Sequence, residues 1–308
     1  MSGCFTLATA LMGTVVSIRT PEQGASPSHA QRDELVRSAL GWFHRIEACC
    51  SRFDPGSEVR RLSGHVGRPV PVSPILYQVV EFSLAVARES GGAFDPTVGL
   101  AMERRGFDRE YRSGRAARSH PSAPATWRDV LLDPGARTVT LARPLLLDLG
   151  AVAKGLAVDL AARELAPLRN FTIDAGGDLW LGGCDGEGQP WSVGIRHPGE
   201  AGAFIETIRV SGAAVCTSGD YERPGHVLDA RSGRAADALA SLTVVAPSAM
   251  VADALATAAF VLGPAAGLEL LDRQPVDGLL VTPSLERITT RRPGPFQRPG
   301  AGVEARAS

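Results

Sequence analysis

Between Leu145 and Leu160 the chain changes its hydrophobic period once, and that change limits the folds open to it. Leu145, Leu146, Leu147 and Leu149 form a short apolar run of the kind a buried strand carries, and Gly150 interrupts it. From Val152 the apolar residues recur at helical spacing, at Leu156, Leu160 and, a turn later, Leu165. A strand feeding a helix is predicted, with Asp148 at the strand's end and Lys154 in the helix's first turns. The first turn of a helix carries free backbone N–H groups and a positive dipole end, which suit an anion. A carboxylate, a glycine turn and a lysine in that place could hold a phosphate-bearing ligand together with a metal. An ordinary strand–turn–helix unit with a surface lysine reads the same way.

Around this unit the elements do not alternate regularly. Residues 12–19 read as a strand and residues 29–50 as an amphipathic helix, with Leu35, Ala39, Phe43 and Ile46 on one stripe. Ser57 is placed to cap a short helix through Leu62. Ser73 and Pro74 start another helix, which Gly91 and Gly92 end. Residues 130–141 have the form of a hairpin around Asp133-Pro134-Gly135. Short strands follow near 171–174, 179–181, 191–195, 205–210, 214–217, 226–229 and 242–246. After helices over 249–262 and 265–273, two more strands fit 278–282 and 287–290. Helices and hairpins mixed without βαβ order predict an α+β fold: mixed sheets with flanking helices, in two intimately packed subdomains forming one unit over residues 5–290. The polar stretch 103–124 is expected to be a mobile surface excursion, and the Pro-, Gly- and Arg-rich residues 291–308 a disordered tail. No internal repeat or long linker is seen. Walker A and G-x-G-x-x-G motifs are absent, since Gly176-Gly177 and Gly182-Gly183 are wrongly spaced for either.

The formal charge of -1 argues against a general nucleic-acid or membrane surface. Cys4, Cys49, Cys50, Cys184 and Cys216 are odd in number and include no C-x-x-C pair, so neither a disulfide framework nor a zinc site is indicated. A reducing compartment is expected. No basic leader with an apolar segment is seen, and no hydrophobic segment precedes Cys4 as a lipoprotein signal would require. The longest apolar candidate, 249–263, is short and interrupted by Asp253. A cytoplasmic protein without membrane insertion is the expectation.

Two places carry residues with chemistry. Asp253 and Thr257, four apart on the apolar helix, share a face. A carboxylate there costs several kcal/mol unless it is paired, on the order of an unpaired buried charge. Carboxylate and hydroxyl are both hard oxygen ligands, suited to Mg²⁺ held by few protein groups plus waters and phosphate oxygens; a solvent-facing pair that merely caps is the alternative. His226, with Asp229 three residues on, can serve as a general base for a hydroxyl, or be a structural histidine at a strand edge. Asp174-Ala175-Gly176-Gly177-Asp178 makes tight turns or brings backbone close to a ligand.

These pieces, in this order, resemble the ApbE family of FAD:protein FMN transferases. The matching segments are 12–14, Ser57-Glu58, 93–99, 148–155, 174–178, 191–195, 217–220, 226–229 and 252–258. Each is weak alone; together they are specific and span nearly the whole chain. The resemblance implies a magnesium-dependent enzyme. It would cleave FAD, move the FMN half onto a threonine or serine of an acceptor protein and release AMP. It places Met12, Phe53, Ala93, Phe94, Asp95, Asp148, Lys154 and Leu228 on FAD-contacting positions. The Ala151 carbonyl, Asp253 and Thr257 fall on metal positions, and His226 matches the catalytic base. Members of the family are often exported lipoproteins, which this chain does not resemble. Ala230 replaces the usual proline after the histidine motif's aspartate, and Phe53 stands where tyrosine can occur. The rival readings are an FAD diphosphatase using water at the same site and a non-catalytic flavin-binding protein. The family's acceptor motif is absent, Ser211-Gly212-Ala213-Ala214 being the nearest match, so the acceptor is expected to be another chain.

Overall fold

The structure, a computed structural model, describes residues 4–21, 28–109, 114, 116, 124–219, 225–292 and 294–296. Strands β1 (Cys4–Leu11) and β2 (Thr14–Pro21) pair as a hairpin. Its turn residues Met12 (φ 49°) and Gly13 (φ 71°) are both left-handed, the geometry that suits a two-residue turn between twisted strands. The strand expected from residue 12 therefore begins at Thr14, and Met12 belongs to the turn.

Helix α1 (His29–Cys50) has the predicted bounds and buries Val36, Ala39, Phe43 and Ile46, with Ser28 and Gln31 forming a capping box. Helix α2 (Glu58–Ser63) starts where Ser57 Oγ accepts from Arg60 N at 3.2 Å. The short strand β3 (Val70–Pro71) precedes α3 (Pro74–Glu89), which Ser73 caps as expected. A six-residue helix, α4 (Gly99–Arg104), had no signal of its own in the sequence. Its last two residues overlap the stretch expected to be mobile, most of which lies outside the described residues. Strands β4 (Val130–Asp133) and β5 (Thr138–Leu141) are the expected hairpin, and β5 also pairs with β3.

The apolar run 145–149 is buried, as predicted, but is not a strand. Leu146 makes one isolated bridge, to Val98. The neighbouring backbone is satisfied by Gly99 N on Leu146 O (3.1 Å) and Asp148 N on Pro96 O (2.7 Å). Gly99 has to be glycine here, because a Cβ would sit 2.5 Å from Leu146 O. The run leads directly into α5 (Gly150–Leu165).

Strands β6 (Phe171–Ala175) and β7 (Asp178–Gly182) follow, then the hairpin β8 (Trp191–Arg196) and β9 (Phe204–Val210), and β10 (Ala213–Gly219). A small ribbon, β11 (Leu228–Asp229) with β12 (Arg234–Ala235), precedes β13 (Ser241–Ala246). Helix α6 (Ala249–Asp272) leads to β14 (Asp277–Val281) and β15 (Arg287–Thr289). Eight of these strands form one sheet in the order β1-β2-β6-β7-β10-β13-β14-β15. Pairing within the named sheets is antiparallel rather than mixed, in hairpins such as β1-β2 and also between strands distant in the chain such as β2 and β6. One face of this sheet, with Ile173, Ala214, Cys216 and Val244, joins the main core under α1, α5 and α6. The alternate residues Leu181, Val215, Val245 and Val281 point to the other face and pack with β8 and β9. Phe296 is buried in that second cluster, and residues 297–308 lie outside the described residues.

The two predicted helices follow one another in α6 with a break between them at Gly263 (φ 78°, ψ −176°), where Pro264 also removes a backbone donor. At 24 residues α6 is long and apolar enough to cross a membrane, a length the sequence reading assigned to no segment. Its Ala252, Leu255, Ala259 and Phe260 instead fill the core. It is anchored from α5: Asp159 Oδ1 accepts from Ala249 N (2.7 Å), and Oδ2 from Ser248 Oγ (2.6 Å) and Met250 N (3.1 Å). The carboxylate sits at the positive end of α6, where charge and free N–H groups favour it.

Gly155 lets the two helices meet, since a Cβ there would stand 2.5 Å from Ala249 O and 2.6 Å from Met250 Cα. Replacing glycine by alanine inside a helix ordinarily stabilises it by up to about 1 kcal/mol. Gly155→Ala should instead destabilise by about 1–3 kcal/mol, the usual cost of overpacking. A urea midpoint at or above that of the wild type would show that α5 and α6 do not touch here.

Candidate active site

The turn Met12–Gly13, the turn Gly176–Gly177 and the end of β10 all lie at one end of the large sheet, by the register of β2 with β6 and of β7 with β10. The first two turns interlock. A Cβ on Gly176 (φ 67°) would lie 2.1 Å from Thr14 Oγ1, so that position requires glycine both for its dihedral and for its space. Met12, a non-glycine at positive φ, is held by its N–H on Glu47 Oε1 at 3.1 Å.

Helix α5 starts at this end and α6 runs back toward it, so Lys154 and Asp253 face each other. Lys154 Nζ is ion-paired to Asp178 Oδ2 of β7, and it lies 3.3 Å from Asp253 Oδ2. Asp178 is 2 % and Asp253 7 % exposed. Burial pushes the Asp253 carboxyl above its ordinary range, against the pull of Lys154. Two buried carboxylates share one ammonium, which leaves a negative charge uncompensated if both are ionised. One turn further along α6, Thr257 Oγ1 lies 3.2 Å from Ser218 Oγ of β10. Carboxylate and hydroxyl oxygens beside surplus negative charge fit a hard cation. Among the described residues no three His, Cys, Asp or Glu side chains cluster as a complete cage. Mg²⁺ does not need one, because it keeps waters and takes substrate oxygens.

At the start of α5, Asp148 Oδ1 accepts from Gly150 N (3.1 Å) and Oδ2 from Arg52 Nε (2.8 Å). Arg52 is 6 % exposed and stacks on the Phe53 ring, 4.1 Å from its centroid. Ala93, Phe94 and Asp95 lie buried in the segment that runs beside Asp148. Both oxygens of Asp95 are engaged: Oδ1 accepts from Thr97 N (2.9 Å) and Thr97 Oγ1 (2.7 Å), and Oδ2 from Trp127 N (3.0 Å). Among its described bonds it organises the loop. His226 and Leu228 lie on a segment joined to α4 by Arg105 Nη2 on Gly225 O (3.3 Å) and to Ala236 N through Val227 O (3.0 Å). No described contact joins His226 to the Lys154 cluster.

The structure thus brings together Lys154 and Asp253, with Thr257 a turn away on α6, and separately Phe53 and Asp148 through Arg52. Asp178, Ser218 and Arg52 were missed by sequence reasoning. Asp178 and Ser218 lie in segments that match the family, the first read as tight turns or a close approach of backbone to a ligand, but neither side chain was given a role, and nothing local marks Arg52. A cavity of about 380 Å³ opens at the far end of α5, between Asp159, Trp180 and Met250, and includes none of these groups.

Burial raises the Asp95 carboxyl, although the Thr97 and Trp127 bonds lower it. The native state then holds this proton at a pH where the unfolded chain has lost it. From about the free value of 3.8 up through the native value, this group's contribution to stability falls as pH rises. Asp95→Asn removes that slope. Its stability relative to the wild type should rise with pH across that window and level off above it, as urea unfolding at a series of acidic pH values would measure. A constant difference would contradict the shift.

The ApbE family profile matches residues 12–280. An FAD:protein FMN transferase from Haemophilus influenzae is 27% identical over 93% of this chain and 89% of its own length. One from Treponema pallidum is 31% identical over 89% of this chain and 83% of its own. The ApbE protein of Thermotoga maritima superposes with a TM-score of 0.82 at 29% identity, covering 94% of this chain and 97% of that one. The flavin transferase ApbE from Vibrio cholerae superposes equally well, at 0.82 and 24% identity, and speaks for the fold. With matching sequence along most of its length and the same fold, the chain belongs to the ApbE family.

Proposed function

We propose that the protein is a magnesium-dependent FAD:protein FMN transferase. The acceptor's Thr or Ser oxygen forms a bond to the FMN phosphorus, the pyrophosphate P–O bond to AMP breaks, and AMP leaves. The observation that carries this reading is the buried pair Asp178 and Asp253 sharing Lys154 at the start of α5, in a chain of this family.

Asp253, Thr257 and the Ala151 carbonyl would hold Mg²⁺, which neutralises charge on the phosphoryl oxygens when bound. Lys154 adds a fixed positive charge against the same oxygens. Met12, Phe53, Ala93, Phe94, Asp95, Asp148 and Leu228 bind and orient FAD, Phe53 offering a ring face to the flavin. Asp95 does so through its loop, since its own oxygens are already engaged. His226 takes the proton from the incoming hydroxyl. Without an acceptor, water reaches the same pyrophosphate but lacks the binding energy that positions a protein hydroxyl.

Incubation with FAD, Mg²⁺ and a separate protein carrying the family's acceptor motif tests this. The expected result is an FMN-sized mass increase on that protein, AMP release that speeds up when it is added, and no mass increase on the enzyme. AMP release independent of the acceptor, with FMN on no chain, would replace the transferase by a diphosphatase. FAD binding without AMP release would leave a flavin-binding protein.

A further inference from the structure

The Arg52 side chain sits at 6 % exposure with its Nη1 buried and without a hydrogen-bond partner. A guanidinium has five donors and cannot shed its charge, so an unmet buried nitrogen needs an explanation. The residue is not loosely placed. Its backbone oxygen accepts from Arg60 Nε, and Ser57 Oγ donates to Ser51 O at 2.7 Å. Its Nε donates to Asp148 Oδ2 and the other Asp148 oxygen accepts from Gly150 N, while Nη1 makes no bond to that carboxylate. The guanidinium plane also lies over Phe53, which is only half-buried.

We propose that Arg52 is a flavin-contacting residue, whose unmet donor is completed by a ring oxygen of the isoalloxazine. This rests on the transferase reading and names which half of FAD meets this corner of the site. Asp148 balances the arginine's charge, so the pair attracts a neutral planar acceptor more than a phosphate. The phosphates have Lys154 and the acidic oxygens of α6 with their cation. Phe53 and Arg52 form a stacked pair beside which a flat ring can lie.

The test measures Kd for FAD, FMN and ADP by calorimetry on the wild type, Arg52→Lys and Arg52→Gln. Arg52→Lys keeps the charge opposite Asp148 but loses the fork, so it carries the comparison if Arg52→Gln melts early. FAD and FMN should bind roughly tenfold to a hundredfold more weakly to Arg52→Lys, the range expected for a lost charge-assisted hydrogen bond, with ADP unchanged. FAD and FMN affinities within about twofold of the wild type would overturn the proposal and leave the transferase reading intact. A loss shared with ADP and absent from FMN would overturn it by moving Arg52 to the phosphates. A wild-type protein that binds neither FAD nor FMN would overturn the transferase reading, and this inference with it.

Discussion

Asp253→Ala should reduce Mg²⁺-dependent release of AMP from FAD by at least roughly 10³-fold, because several kcal/mol of transition-state charge stabilisation go with the metal. The fold should survive. Removing one partner of a buried ion pair normally costs about 3–5 kcal/mol, since the other charge is stranded. Here Lys154 keeps Asp178, and the carboxylate removed is one whose burial already opposes its ionisation. The melting temperature should therefore stay near that of the wild type while Mn²⁺ binding, followed by its paramagnetic resonance, is lost. Wild-type turnover in the variant would remove Asp253 from the metal site.

His226→Ala should slow FMN transfer by roughly 10²–10⁴-fold, the usual worth of a general base. FAD affinity should hardly change, because the base acts on the acceptor hydroxyl and not on bound FAD. The residue lies beside Val227 and Leu228, whose buried side chains help to hold its segment. Single-turnover transfer at saturating FAD separates this effect from binding. A variant that no longer binds FAD would move His226 from proton transfer to ligand binding or folding.

What could be read in the sequence was local. The bounds of α1 followed from one apolar stripe, and the starts of α2 and α3 from Ser57 and Ser73, because caps act within a turn of their own position. Strand β1 escaped notice because most of its residues are exposed and Leu11 alone is fully buried. The run at 145–149 has a strand's composition but pairs through a single bridge, and composition cannot supply a partner. Lys154 and Asp253 were found separately from their own helices and are 99 residues apart. Arg52 with Asp148 and Asp159 with Ser248, 96 and 89 residues apart, carried no signal, since each side chain's role is defined by a distant element.

The break at Gly263 divides α6 into two segments with independent phase. A residue inserted between Asp253 and Thr257 would rotate the hydroxyl by about 100° away from the carboxylate's face, since each helical residue turns the chain by that amount. One inserted beyond Gly263 would be absorbed where the dihedrals already leave the helix, and the angular relation of Asp253 to Thr257 would be untouched. Length changes between relatives should therefore collect on the far side of that joint, where the chain can vary without retuning its chemistry.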